Sequence, residues 1–207
     1  MLVSFFPIPP YFRSNPQMIK RQLFLTLFLT LFAASSLVTT ALADGKGFYP
    51  NGEIKWEYLF QNGEISEAKW YNEAGQLVSR ETYASGKPEK TEGYRADGSL
   101  EWQLRQLENK QQEVTRFDES GKITALYQTV DGQPHGEYTT FSADGQAKQT
   151  VTYQQGTLNG PARTFFNSGQ VEHEFTYSNG EVDGIYRTYS SEGKLLSEYT
   201  FSAGQLN

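Results

Sequence analysis

Three tryptophans, Trp56, Trp70 and Trp102, and two histidines, His135 and His173, are the side chains best suited by type to act on a ligand. Trp56 and Trp102 sit 46 residues apart and Trp70 lies beside Tyr71. Clustered, they would form a flat aromatic platform able to stack on a sugar or anchor a partner. The alternative is packing in the core or at its end. His135 lies in the turn-like run Asp131-Gly132-Gln133-Pro134-His135-Gly136, where a turn role accounts for it. His173 reads as a satisfied strand-edge imidazole. No second histidine or carboxylate pair recurs with it at metal-ligand spacing. The turn acids Glu73, Asp97, Glu119, Asp144 and Glu192 lack the dense aspartate ladder of calcium-binding repeats, and the other acids are expected on a polar strand face. Cysteine is absent, which removes thiol nucleophiles, thiolate metal sites and disulfides. No serine occupies a Gly-x-Ser-x-Gly elbow. No catalytic residue, cofactor site or metal site is expected, so the chain does not read as an enzyme.

The elements that carry these residues follow from a repeat. Gly52, Gly75, Gly98, Gly121, Gly145, Gly169 and Gly193 fall 23, 23, 23, 24, 24 and 24 residues apart. Four positions before them stand Phe48, Tyr71, Tyr94, Phe117, Phe141, Phe165 and Tyr189. Two positions after come Ile54, Leu77, Leu100, Ile123, Ala147, Val171 and Leu195. Such a period marks a repeat protein. Counting from each glycine, positions 2, 4, 6 and 8 hold 21 apolar or aromatic residues out of 28, while the odd positions between hold four. Alternation of that contrast means strands with one face buried.

A second glycine phase, Gly63, Gly86, Gly132, Gly156, Gly180 and Gly204, lies eleven residues after the first, with Asn109 in its place in the third repeat. Pairs such as Asn62-Gly63 and Asp131-Gly132 predict hairpin turns, which need left-handed residues. A third phase, Gly136, Gly160 and Gly184, appears only where the period is 24. The expected fold is all-β: an elongated antiparallel meander of about seven hairpin repeats and about fourteen strands. It forms a single array over 44–207 with a degenerate middle near Asn109. One hairpin cannot bury its own aromatic row, so stability has to come from stacking neighbours.

The first 43 residues differ. Met18-Ile19-Lys20-Arg21, an apolar run from Leu23 to Val38, and Ala41-Leu42-Ala43 before Asp44 have the grammar of a cleaved secretory signal over 18–43. A retained anchor helix is the competing reading. Residues 1–17, with Pro7, Pro9, Pro10 and Pro16, read as a wrongly chosen start or a disordered extension. From Asp44 onward 15 basic residues face 24 acidic ones, a formal net of −9 that repels phosphate backbones and anionic lipid heads. Nucleic acid is not an expected partner. A membrane-spanning barrel is not expected either, because about seven residues per strand fall short of the 9–11 a barrel needs.

The stretches NGEVDGIYRTYSSEGKLLSEYTF (179–201) and HGEYTTFSADGQAKQTVTYQQGTLNG (135–160) resemble the MORN-repeat-variant family. The likeness is good over about 117–207 and partial over 46–116. It implies a β-meander used for docking or membrane apposition, and no catalytic residues. The combined expectation is a periplasmic or secreted, non-enzymatic scaffold for an unknown protein partner, not membrane-spanning once its signal is cleaved. The alternatives are a cell-wall glycan-binding module or an antitoxin-like inhibitor of a co-encoded protein.

Overall fold

The computed structural model describes residues 45–207, and the readings made for 1–17 and 18–43 lie outside the described residues. The strands in chain order are β1 (Gly45–Phe48), β2 (Ile54–Gln61), β3 (Glu64–Tyr71), β4 (Leu77–Ala84), β5 (Lys87–Tyr94) and β6 (Leu100–Gln106). They continue with β7 (Gln111–Phe117), β8 (Ile123–Val130), β9 (Gln133–Phe141), β10 (Ala147–Gln154) and β11 (Thr157–Phe165). The last are β12 (Val171–Ser178), β13 (Glu181–Val182), β14 (Gly184–Tyr189), β15 (Leu195–Ser202) and β16 (Gln205–Leu206). All sixteen join one antiparallel sheet in meander order, with the short β13 pairing only with β12. The expected fourteen strands become sixteen because β1 precedes the first full hairpin and Asp183 interrupts one return strand, separating β13 from β14.

The aromatic and aliphatic residues flanking each first-phase glycine turn out to be cross-strand partners. Phe48 pairs with Ile54, Tyr71 with Leu77, Tyr94 with Leu100 and Phe117 with Ile123. The series continues with Phe141–Ala147, Phe165–Val171 and Tyr189–Leu195. Between them the loop closes the same way each time. In the first, the Tyr49 N–H donates to the Glu53 carbonyl (2.8 Å) and the Gly52 N–H to the Tyr49 carbonyl (3.0 Å). At the other end of each hairpin, two-residue turns such as Asn62-Gly63 and Asn179-Gly180 have positive φ at both positions, the signature of a type I′ turn. The third repeat differs: Asn109 and Lys110 are left-handed inside a wider loop, and β6 and β7 still pair on either side of it.

The change of period from 23 to 24 has a local cause. In β2–β3, Leu59 pairs with Glu67 and Phe60 with Ile65, so Ser66 is one extra residue in a bulge. In β8–β9, Tyr127 pairs with Tyr138 and Thr129 with Pro134, so Gln128 faces three residues, His135, Gly136 and Glu137. That bulge is one residue longer, and the added residue requires the third-phase glycine, whose φ is +79 at Gly136 and +125 at Gly160. Bulges bend the strand that carries them.

One row of side chains forms the core. It runs strand by strand through Ala68, Glu81, Thr91, Leu104, Val114, Tyr127, Tyr138, Val151, Ala162 and Phe175, each directly paired with the next. Tyr127 stacks on Tyr138 at 4.9 Å and Phe175 on Tyr186 at 5.0 Å, contacts worth ~0.5–1.5 kcal/mol each beyond burial. The other face carries cross-strand charge pairs: Lys46–Glu57 at 2.7 Å, Arg80–Glu67 at 2.6 Å, Arg163–Glu174 at 2.9 Å and Arg187–Glu198 at 2.8 Å. These are exposed or half-exposed pairs. Their worth is in fixing register more than in stability.

Candidate binding face

The three tryptophans share a row beside the core row, on the same face. Trp56 of β2 lies opposite Gly47 of β1 on one side and Trp70 of β3 on the other. Trp70 next meets Ser79 of β4, which pairs with Gly93 of β5, and Gly93 pairs with Trp102 of β6. Trp56 and Trp70 are therefore direct neighbours, and Ser79 and Gly93 separate them from Trp102. All three indoles are half-buried. Trp56 contacts the Tyr58 ring at 4.9 Å, and Tyr58 meets Trp70 edge-on at 6.3 Å.

What seats these rings was not read from the sequence. Sixteen glycines have positive φ, and they are the members of the three turn phases. The remaining three, Gly45, Gly47 and Gly93, do not. A Cβ on Gly47 would lie 2.3 Å from the Trp56 indole, and one on Gly93 would lie 2.2 Å from that of Trp102. Gly45 faces Trp56 as well, at 3.5 Å. An indole resting on a strand glycine covers backbone that lacks a side chain of its own, a compensation known from designed sheets. The signal was present: Gly47 and Gly93 each precede their tryptophan by nine residues.

A carboxylate stands next to this row, contrary to the expectation that acids keep to turns and the polar face. Glu81 occupies the core row and is 5% exposed. It is tolerated because both oxygens have donors, Tyr83 Oη at 2.6 Å and Thr91 Oγ1 at 3.2 Å. Burial raises its pKa from the ordinary 4.5, against the pull of the two hydroxyls. Tyr83 is raised too, by burial and then by the carboxylate. On the polar face, burial works to raise Glu92, but hydrogen bonds from Lys90 and Tyr94 outweigh it and hold the group below its ordinary value. Tyr94 is pushed up to about 12 by burial and by Glu92.

The histidines are placed differently from expectation. His135 lies within β9, in the bulge and not in the turn, because the longer bulge extends past Pro134. His173 lies inside β12, between Thr164 and Thr188, with its ring 5.7 Å from Tyr186. The Nδ1 atoms of both are buried without a hydrogen-bond partner among the described residues. Their Cβ-bearing strands keep them apart, and among the described residues no three His, Asp or Glu side chains group as metal ligands. A shallow depression of about 550 Å³ between Lys122, Phe141 and Asp144 lies away from the tryptophans; the Lys122 ammonium there donates to the Ala143 carbonyl at 2.7 Å.

The family model for the MORN repeat variant matches residues 66–85, 134–155, 158–179 and 182–203. The last three matches fall on the hairpins with the longer bulge. No curated protein matches the chain. Among solved structures, a mutant of S. aureus TarM in complex with fondaparinux, α-GlcNAc-glycerol and UDP is 16% identical, over 45% of this chain and 19% of that one, at a TM-score of 0.36. A second TarM structure is 17% identical over 48% and 20%, at 0.37. A GtfA/B complex bound to UDP and GlcNAc is 16% identical over 75% and 37%, at 0.26. The chain spans well under half the length of each of these proteins, and likeness at these scores carries no argument about what it does.

Proposed function

This chain belongs to the MORN-repeat-variant family, and from that premise we propose that it is an exported, non-enzymatic scaffold that docks a protein partner in the cell envelope. The observation that carries the reading is the unlike character of the two halves of one sheet. Over β8–β15 the hairpins repeat one pattern, with the same bulge and the same turn. Surfaces that repeat specify little. Over β1–β7 the same face carries three tryptophans and a buried carboxylate, so that half can discriminate between partners.

Export is the part of the proposal that rests on residues 18–43. N-terminal sequencing of the protein recovered from its own envelope is expected to begin at or near Asp44; an intact Met18 end in a membrane fraction would overturn export with cleavage. For docking, a photo-crosslinker at Ser79 is expected to capture a partner, and one at Thr150 on the opposite face is not. Capture from Thr150 alone would assign docking to the polar face.

The second reading, binding of cell-wall glycan, is favoured by the seating of Trp56 and Trp102 on glycines. The antitoxin-like reading has no structural observation in its favour.

A further inference from the structure

We propose that the tryptophan row across β2–β6 is a saccharide-binding face that takes a short, neutral oligosaccharide laid across the strands. The inference rests on the second reading above, in which this face takes a glycan and not a protein, and it names the length and charge of that glycan.

Three observations on the row point the same way. The first is the glycine seats. With Gly47 and Gly93 beneath them, Trp56 and Trp102 are held down on the sheet by one flank, and half-burial leaves part of each ring open. Fixed, open aromatic surface is what the apolar C–H faces of a pyranose stack on, and it binds with little loss of side-chain freedom because the ring is already held. The second is unused hydrogen-bonding capacity. None of the three indole N–H groups, nor the Ser79 hydroxyl between them, has a hydrogen-bond partner among the described residues, whereas the Glu81 and Thr91 groups one row away are bonded to each other. An indole N–H and a hydroxyl, lying between apolar ring surfaces, suit the hydroxyl-rich edge of a sugar. The third is charge. From Trp56 to Trp102 the row carries no ionisable group; the next position, Arg116, pairs directly with Trp102, and its guanidinium is met by Glu101 at 3.9 Å. With the row free of charge over β2–β6 and the one neighbouring guanidinium met by a carboxylate, the face is matched to a neutral chain rather than a sulfated or phosphorylated one.

The geometry sets the length. Trp56 and Trp102 stand four strand steps apart, roughly 19 Å at ~4.8 Å per step, so both rings engage only a chain of several sugars. A single sugar reaches one ring or the Trp56–Trp70 pair.

The test titrates the mature chain with N-acetylglucosamine oligomers of increasing length, read by tryptophan fluorescence and by calorimetry. A saturable signal is expected whose affinity rises from the disaccharide to the longer oligomers. Trp102→Ala and Trp56→Ala are each expected to weaken the longest oligomer roughly tenfold or more, and Tyr199→Ala, at the far end of the same sheet, to leave it unchanged. Should an alanine variant lose its far-UV spectrum, Trp56→Phe and Trp102→Phe keep a ring over the glycine and remove the N–H; they are expected to remain folded and bind several-fold more weakly. No saturable signal with any oligomer, or full binding by a folded double variant, overturns the proposal. If the oligomers fail while a crosslinker at Ser79 still captures an envelope protein, the saccharide is wrong and the docking reading stands.

Discussion

The Tyr83 hydroxyl donates to Glu81 Oε2 over 2.6 Å, and that bond lets a carboxylate occupy the position where later repeats place Tyr127, Val151 and Phe175. The pair sits two residues apart on one strand, facing the same way, so the donor is supplied by the neighbouring core position of the same repeat. Thr91, across the strand pair, supplies the second donor. A buried carboxylate without such donors would cost several kcal/mol or take up a proton.

The raised Glu81 pKa gives a pH dependence of definite sign. A carboxyl whose folded pKa lies above its unfolded value binds its proton more tightly when folded. Its contribution is therefore largest below the ordinary value of 4.5 and falls as pH rises through the folded value. Glu81→Gln removes this titration. Thermal unfolding of the wild type and the variant, compared from acid to neutral pH, is expected to show the variant gaining relative to wild type as pH rises. A difference that is flat with pH, or that runs the other way, would show that Glu81 is not desolvated.

Gly93→Ala tests how the tryptophans are seated. The backbone at Gly93 permits alanine, so the cost is steric alone: the new methyl would lie 2.2 Å from the Trp102 indole. The ring has to lift, and overpacking of this kind costs about 1–3 kcal/mol. Gly98→Ala has no atom within 4 Å of its Cβ but forces alanine to φ +84. Both variants lose stability, and only Gly93→Ala is expected to shift the tryptophan emission to the red. An unchanged emission spectrum would mean that the indole does not rest on Gly93.

The parts of this fold legible in the sequence are those where the backbone forces the residue type. A left-handed turn admits glycine, asparagine and little else, so the glycine phases announced every hairpin, and Asn109 marked its odd turn correctly. Two-residue alternation likewise told which face would be buried. What could not be read is where one side chain excuses another. Glu81 is one of the seven exceptions among the 28 inward positions, and its two donors come from Tyr83, the next inward position of the same strand, and from Thr91, on a strand whose register the residue pattern alone does not give. His135 was misplaced for a related reason, since a bulge one residue longer carries it from the turn into the strand. Trp56, Trp70 and Trp102 were picked out by type, but that Trp56 and Trp70 pair directly while Ser79 and Gly93 intervene before Trp102 needed the register.

The bulge glycines are not equivalent, and substitution should separate them. Gly136 has φ +79, with Gln128 Oε1 as its nearest atom at 4.0 Å. Gly160 has φ +125, and an added Cβ would meet Thr152 Cβ at 3.0 Å. Asparagine tolerates the ordinary left-handed region but not φ so far beyond it. Gly136→Asn is therefore expected to recover most of the stability lost in Gly136→Ala, whereas Gly160→Asn and Gly160→Ala are expected to be similarly damaging, by ~1–3 kcal/mol. Equal rescue at the two sites in denaturant titrations would show that the Gly160 conformation is not required.

The two halves of the sheet should also differ in how they open. The Gly156 N–H donates to the Pro134 carbonyl at 2.8 Å, Gly180 to Leu158 at 2.8 Å and Gly204 to Val182 at 2.9 Å, so each late turn is tied to the hairpin before it. These ties join turn tips 22 residues apart, beyond the pairing of the strands themselves. The early loops are tied to their neighbours as well, but by side chains at the other edge of the sheet, as Tyr49 Oη to the Tyr71 carbonyl at 2.8 Å and Gln76 Nε2 to the Ala96 carbonyl at 2.8 Å. In an array whose stability is a sum of unit and interface terms, hairpin turns that carry an added backbone bond of their own open last. Hydrogen exchange is expected to protect the Gly156, Gly180 and Gly204 amides longer than those of Gly63 and Gly86. A fragment of residues 117–207 is accordingly expected to fold alone, and one of residues 45–116 to unfold at lower denaturant than the full array. The full chain would then unfold from its tryptophan-bearing half, so indole fluorescence should change at lower denaturant than the far-UV signal. Coincident transitions by the two probes, together with equal amide protection in both halves, would mean that the turn-to-hairpin bonds add nothing and that the array unfolds as one unit.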